Sequence, residues 1–250
     1  MAIEPINFVV FLMGPTASGK TELAIEISKH INSKLISVDS ALIYRGMDIG
    51  TAKPSKEILT AYPHELVDIC EPEDSFSVTE FISLAKEHIK SALAEGKLPI
   101  LVGGTSFYFN ALEHGLSELP SSTDESRKHF NDLLKSEGSV KLHSKLTEID
   151  PKSAARIHSN DSQRVTRALE VFHLSGETLS KLQGKKNQNK LDLNIKKIVL
   201  MPDRAILHQR IEQRFIKMIK DGFLDEVEIL RKNSKLNLDL ASMRSVGYRQ

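Results

Sequence analysis

The sequence has a single cysteine, Cys70, so no disulfide can form within the chain, and a reducing, cytoplasmic setting is expected. Long apolar runs are missing as well. The longest, Phe8 to Met13, is strand-sized and far short of the roughly 18 to 20 residues that cross a bilayer. The chain does not open on a basic stretch followed by an apolar run and a small-residue cleavage site, so no secretory signal is read and no membrane partner is expected. The nine histidines never take up metal-ligand spacing, and His64 reads as a surface or packing residue. Net charge is nearly absent too, at +1 over 250 residues, but its distribution is uneven. Between Lys56 and Glu80 seven acids face one base, whereas between Arg156 and Lys220 fourteen Lys or Arg stand against six Asp or Glu. A basic region on a near-neutral chain is what a polyanion-binding surface looks like, although solvated helix faces give the same count. Within it, Arg204, Arg210 and Arg214 suit solvent or neighbouring acids as well as they suit RNA.

What is present is enough for a full core: 40% of the chain is hydrophobic and 27% charged, ordinary values for a globular protein. Asn7 to Met13 is a continuous apolar run with β-branched residues, which predicts a strand buried on both faces of a parallel sheet. It runs into Gly14-Pro15-Thr16-Ala17-Ser18-Gly19-Lys20-Thr21, after which Leu23, Ala24, Ile27 and Ile31 recur at helical spacing. A second strand, Leu35 to Val38, ends at Asp39. Strand, glycine-rich turn, helix and strand form the opening of a parallel α/β domain.

The turn matches Gly-x-x-x-x-Gly-Lys-Thr in full, where a phosphate loop belongs. Its glycines let backbone N–H groups point inward, the helix N-terminus adds partial positive charge, and Lys20 adds a full one. Thr21 is placed to bind Mg²⁺ through its hydroxyl. Such a loop marks a diphosphate and leaves open what carries it; alone, it reads as the nucleotide-binding, ATP-binding loop of a kinase or ATPase. Asp39 stands at the carboxyl end of a strand, where open sheets hold their ligands. It reads as catalytic, with a turn cap and a Mg²⁺-binding aspartate of a kinase as the other readings.

Further along, Ser77-Val78-Thr79-Glu80 has capping-box spacing ahead of an apolar face from Val78 to Leu93, with Gly96 as the stop. Leu98 to Val102 predicts another buried strand, delivering Gly103-Gly104-Thr105 to the sheet edge that carries the first turn, and a helix should follow from Ser106 to about Leu112. Strand signals then disappear. The stretches from Asp124 to Leu134, Val140 to Ile149, Pro151 to Ile157 and Ser162 to Leu174 read as helices, with Pro151 at a first helical position and Gly176 as a stop. Lys185 to Lys190 reads as a polar linker. Strand character returns from Ile195 to Met201, and an amphipathic helix should run from about Arg204 to Lys220 with Leu207, Ile211, Phe215 and Ile219 on one face. The expected fold is α/β: a P-loop NTPase-like parallel sheet flanked by helices, residues 1–116 and 194–250, with an inserted all-helical domain, residues 117–193.

The run from Asp39 to Pro54 (Asp-Ser-Ala-Leu-Ile-Tyr-Arg-Gly-Met-Asp-Ile-Gly-Thr-Ala-Lys-Pro) resembles the segment that follows the second strand in tRNA dimethylallyltransferases. So do the phosphate loop, Pro63-His64, Gly103 to Tyr108, Gln163 to Glu170 and Ser245 to Gln250, in the family's order and across nearly the whole chain. Members of that family transfer a dimethylallyl group from dimethylallyl diphosphate to N6 of the adenine beside the anticodon, releasing pyrophosphate. The resemblance implies Asp39 as the general base, with Lys20 and Thr21 sharing the catalytic work. It implies Gly14, Pro15, Thr16, Ala17, Ser18, Gly19, Lys20 and Thr21 as the diphosphate cradle, and Thr21 on Mg²⁺. It also implies tRNA contacts from Asp39, Ser40, Ala41, Leu42, Thr105, Arg127, Gln163, Arg164, Val165, Thr166, Arg167, Arg244, Ser245, Val246, Gly247, Tyr248 and Arg249. The partners implied are tRNA and dimethylallyl diphosphate, with no obligate protein partner, so that a monomer is expected.

The residue types suit that chemistry. An adenine amine is a poor nucleophile because its lone pair is delocalised, and a positioned carboxylate that removes its proton contributes typically about 10² to 10⁴ in rate. Charge building on the departing diphosphate calls for the backbone cradle, Lys20 and Mg²⁺. The amine also lies in the stack of an anticodon loop, so the base must be extruded. Two departures stand out. Family members usually carry Gln where this chain has Leu42, which can pack on a base but cannot hydrogen-bond its edge. They also normally continue past the position of Gln250 with further basic residues, so weaker tRNA binding is expected of the chain ending there. Asp48 and Lys53 are expected to organise their loop rather than react. A P-loop kinase of a nucleoside or small metabolite would explain the turn and Asp39, and would be told apart by label entering an acceptor from ATP. A non-enzymatic RNA-binding module would bind tRNA tightly without Mg²⁺-dependent diphosphate turnover.

Overall fold

The computed structural model describes residues 6–183 and 190–250, so the polar stretch read as a linker lies, but for Lys190, outside the described residues. The first unit of the fold contains β1 (Phe8–Met13), α1 (Lys20–His30), β2 (Ser33–Val38), α2 (Lys56–Ala61), β3 (His64–Glu65), α3 (Val78–Ala94), β4 (Leu98–Gly103) and α4 (Ser106–His114). The second contains α5 (Asp124–Glu137), α6 (Ser139–Ile149), α7 (Pro151–Ala154), α8 (Ser162–Ser175) and α9 (Leu179–Gln183). The chain then returns to the first unit through β5 (Asn194–Val199), α10 (Arg204–Lys220) and α11 (Phe223–Arg231), ending in a 3-10 turn at Ser242–Arg244. The two units span residues 1–114 with 190–250, and residues 115–189.

In the first unit the five described strands run in the order β3-β2-β4-β1-β5 with every pairing parallel. Parallel strands all end at one edge of the sheet. The turns after β1, β2 and β4 therefore emerge side by side, which brings the phosphate loop, Asp39 and Gly104 together. Central β4 is buried along its whole length because helices cover both of its faces. On one face Val10, Leu12, Leu35, Ile100 and Val102 pack with Ala24 of α1. On the other, Phe11 meets Phe109 of α4 with ring centroids 5.0 Å apart. Each such large side chain contributes about 1.5–3 kcal/mol by leaving water. The Ser77 hydroxyl and Glu80 carboxylate close a capping box at the start of α3, as their spacing predicts.

The helical unit has its own core, in which Phe130, Leu142, Leu146, Val165, Ala168 and Leu169 come together from α5, α6 and α8. Asp150 caps α7 through Ser153 N, with Pro151 at its first turn, but the helix ends at Ala154 instead of reaching Ile157. The elements absent from the sequence reading, namely α2, β3, α9 and α11, are short, and the nine residues of α11 bury only Phe223 and Leu230. So few turns give periodicity little to register. The helix expected from Arg204 to Lys220 is present as α10, yet none of its residues is buried. Its apolar residues Ile211, Phe215 and Ile219 face open space rather than core.

Candidate functional site

The phosphate loop owes its shape to two left-handed residues. Gly19 has φ 91°, which glycine adopts freely, and Ala17 has φ 62°. Gly19 also occupies the cap position of α1 and offers no side chain, so the helix opens uncapped. The N–H groups of Gly19, Lys20 and Thr21 meet no backbone acceptor among the described residues. Free N–H groups at the positive end of a helix make an anion cradle. Lys20 Nζ folds back onto the carbonyl of Pro15 at 2.8 Å. Burial lowers the Lys20 pKa, Asp39 opposes that shift, and Arg214 adds to it. A guanidinium crowding a half-buried ammonium is an arrangement that an anion between them would relieve.

Beneath the loop lies a recess of about 80 Å³, lined among others by Ser18, Thr21, Ser37, Asp39, Leu42 and His64. Ser18 Oγ, Ser37 Oγ and His64 Nε2 are all buried there without a hydrogen-bond partner. Buried polar atoms are paired as a rule, so orphans gathered in one recess mark a place for something else. Among the described residues no three His, Cys, Asp or Glu side chains could together hold a metal ion. A cation at this place would therefore rest on the Thr21 hydroxyl, diphosphate oxygens and water, a set that suits Mg²⁺. The orphaned hydroxyls fit such a hydrated ion.

Asp39 is both cap and half-buried carboxylate. Its Oδ1 accepts from Ala41 N at 2.9 Å and Leu42 N at 3.4 Å. The turn is stitched to the neighbouring loop, with Ser40 N donating to Thr105 Oγ1 at 3.2 Å and Thr105 N donating to the Val38 carbonyl at the same distance. Beyond this turn opens a cavity of about 1000 Å³ whose lining includes Thr16, Asp39, Ser40 and Ala41 on one side. Tyr44, Phe76, Tyr108, Phe215 and Ile219 supply apolar wall, and Arg214 lines both this cavity and the recess. The exposed face of α10 is thus part of a pocket. Leu42 borders the recess and not the cavity.

Not every residue singled out in the sequence reaches open space. Ser245, Val246, Gly247 and Arg244 line the cavity, and Arg249 is exposed. Tyr248 is 5% exposed and its hydroxyl donates to Glu226, which leaves the ring as packing rather than contact surface. The same Glu226 carboxylate accepts from the backbone N–H groups of Asp48, Ile49 and Gly50 at 2.8, 2.8 and 3.0 Å. Gly50 must be glycine: a Cβ there would stand 2.2 Å from the Phe223 ring and 2.7 Å from that of Tyr248. Lys53 binds the Tyr44 carbonyl at 2.7 Å, Asp48 at 2.6 Å and Asp68 at 2.5 Å, so it does organise its loop.

In the helical unit Arg127, Gln163 and Arg164 are exposed, and Thr166 donates to the Ser162 carbonyl at 2.8 Å. Val165 is wholly buried in the core, so its side chain can touch only protein. Arg167 is held by Glu170 at 2.6 Å, the Pro120 carbonyl at 2.7 Å and Ser122 at 2.8 Å, which commits its guanidinium to the fold. Arg214, which suited solvent and RNA equally in the sequence, has no ion pair among the described residues and borders the phosphate loop. Its only sequence signal is the spacing Arg210, Arg214, Lys217 on one helix, and these three line a hollow with Ala17 and Gly19.

The family model for IPP transferase matches residues 42–250. A tRNA dimethylallyltransferase of Ruthia magnifica is 61% identical over 250 residues, covering 100% of this chain and 82% of that one. Its counterpart in Vesicomyosocius okutanii is 58% identical with the same coverage. Among solved structures, the tRNA isopentenylpyrophosphate transferase of Bacillus halodurans is 38% identical with a TM-score of 0.65, over 97% of this chain and 75% of that one. A eukaryotic dimethylallyltransferase acting on tRNA is 26% identical with a TM-score of 0.73, over 91% and 56%. The fold, the intact phosphate loop and the extent of these matches lead to one conclusion: the chain belongs to the IPP transferase family.

Proposed function

We propose that this chain transfers a dimethylallyl group from dimethylallyl diphosphate to N6 of the adenine beside the anticodon in tRNA. The observation that carries the reading is that Asp39 and Thr16 of the phosphate loop line one cavity of about 1000 Å³. A donor whose diphosphate rests on the uncapped start of α1 directs its five-carbon chain toward the apolar wall of Tyr108, Phe215 and Ile219. The carboxylate of Asp39 meets the amine from the same side. Because Oδ1 is fixed by Ala41 N and Leu42 N, the group is oriented before substrate arrives and Oδ2 is left for the proton.

In the transfer the N6–C1 bond forms as the C1–O bond breaks, the amine proton passes to Asp39, and the electron pair leaves with pyrophosphate. Free N–H groups at the loop, Lys20 and Arg214 meet the charge as it grows on the leaving oxygens. Mg²⁺, held through the Thr21 hydroxyl, would supply further charge neutralisation there. Exposed Arg127, Gln163 and Arg164, with Arg244 to Gly247 at the cavity, are the side of the reading that concerns tRNA. The test is mass spectrometry of tRNA nucleosides after incubation with protein, Mg²⁺ and dimethylallyl diphosphate. An adenosine heavier by one dimethylallyl group is expected. Unchanged nucleosides alongside phosphate transfer from ATP to a small acceptor would replace this reading with a kinase.

A further inference from the structure

Among the described residues, His64 is the histidine that lines the recess at the phosphate loop. It begins β3 and pairs in register with Leu35 of β2, so its side chain lies on the same face as Leu35 and, two residues on, Ser37. That face packs under α1. The ring is fixed at one end, with Nδ1 2.8 Å from the Tyr62 carbonyl. Only an N–H can bond to a carbonyl, so Nδ1 carries the proton of the neutral ring and Nε2 presents a lone pair. Burial lowers the ring's pKa, in keeping with that neutral form. Nε2 is buried and unpartnered, as are Ser18 Oγ and Ser37 Oγ, and the three residues that carry these atoms line the same recess as Thr21. Left without a partner, each orphan forfeits the hydrogen bonds it would make to water.

The recess, about 80 Å³, has room for bound water beside the loop. Waters on a divalent cation are strong hydrogen-bond donors, and a neutral imidazole lone pair is their natural acceptor. We propose that His64 is a positioning residue: through Nε2, beside Ser37 and Ser18, it accepts from the water shell of the cation that Thr21 and the diphosphate hold. The ring does not touch the reacting atoms. It fixes where the hydrated ion sits and hence where the leaving oxygens are neutralised. The inference rests on the reading of the loop as a diphosphate and cation site.

The test separates the two ring nitrogens. Asn places its amide nitrogen near Nδ1 of the imidazole, so His64→Asn can keep the bond to Tyr62 while deleting the atom in the recess. Gln places its amide nearer Nε2, so His64→Gln restores a polar atom there and gives up the Tyr62 bond. Mg²⁺ is titrated by calorimetry into each protein saturated with inorganic pyrophosphate, with thermal midpoints and metal-free pyrophosphate affinity measured alongside. The expected result is a loss of about tenfold or more in Mg²⁺ affinity for His64→Asn, the usual size for an outer partner of a metal site. Its midpoint and metal-free pyrophosphate affinity should stay as in the wild type, and His64→Gln should recover most of the lost affinity. Wild-type Mg²⁺ affinity in His64→Asn, with His64→Gln the damaged variant, would show that the ring serves only its Tyr62 bond and would overturn the proposal. A wild-type protein that binds no pyrophosphate with Mg²⁺ would instead remove the reading of the loop itself.

Discussion

Glu170 in the helical unit and Asp39 at the sheet edge are both carboxylates that accept hydrogen bonds, but their surroundings differ in kind. Glu170 accepts from Ser126 at 2.6 Å, from Ser122 at 2.7 Å and from Arg167 at 2.6 Å, and is 5% exposed. Asp39 has one oxygen fixed by its own turn, and the residue lines a cavity. The two arginines divide in the same way: Arg167 is bound on several sides, whereas Arg214 has no ion pair among the described residues and stands beside Lys20. A polar group whose partners all come from the protein holds the fold together. One that is oriented but left with capacity to spare is placed for a ligand.

The comparison is broken most easily at Asp39. In Asp39→Asn the remaining amide oxygen can still cap Ala41 N, so the turn keeps its shape while the base is lost. Turnover should fall by about 10²- to 10⁴-fold in single-turnover assays, with tRNA affinity nearly unchanged. Turnover like that of the wild type would take Asp39 out of its role. Next in size, Arg214→Ala should lower kcat/KM by roughly ten- to a hundredfold, the worth of one hydrogen bond to a charged group, and raise KM for the diphosphate donor. Unfolding by urea should be unaffected, because Arg214 makes no hydrogen bond or ion pair among the described residues. Arg167→Ala should behave in the opposite sense. It strips one partner from buried Glu170 and should cost about 2 kcal/mol in urea unfolding followed by far-ultraviolet circular dichroism. If instead it weakened tRNA binding at unchanged stability, Arg167 would belong with the contact residues after all.

These assignments show where sequence stops being informative. The parallel sheet was legible because buried strands such as β1 and β4 are unbroken apolar runs, and the phosphate loop because its glycines are required by backbone shape. Asp39 was legible as the residue that follows β2. Whether an arginine is free or engaged depends in part on groups far away in sequence. Arg167 has Glu170 three residues on, inside its own block, but it is also met by Ser122, 45 residues earlier, and nothing in that block announces this second bond. Arg214 has its neighbours at Ala17 and Gly19, nearly the length of the chain away. Glu226 escaped notice for a similar reason: α11 is too short for its period to register, and the donors it gathers lie between Asp48 and Gly50 and at Tyr248. His64 read as packing because its orphaned nitrogen is a property of the folded recess.

The subtlest consequence of the contrast is a dependence on acid. Burial alone would raise the pKa of Glu170, but hydrogen bonds from Ser126, Ser122 and Arg167 outweigh it and hold the carboxyl below its ordinary value. Asp150 in the same unit is held low likewise, with burial opposed by bonds from Ser153 and Ser180. A group depressed on folding stabilises fully above its unfolded pKa, about 4 for a carboxyl, because both states are then ionised. As pH falls below that point the unfolded chain takes up protons first, and the contribution drains away until the folded value is passed. The stability of the helical unit should therefore decline on acidification from about pH 5 toward pH 3, measured by urea titration at a series of pH values. In Glu170→Gln stability should be lower at neutral pH and the decline shallower, with Asp150 and Glu137, which Lys145 holds low, left to supply what slope remains. Parallel curves for the two proteins would mean that the Glu170 network contributes nothing to acid sensitivity. The engaged carboxylate would then differ from Asp39 in geometry but not in energy.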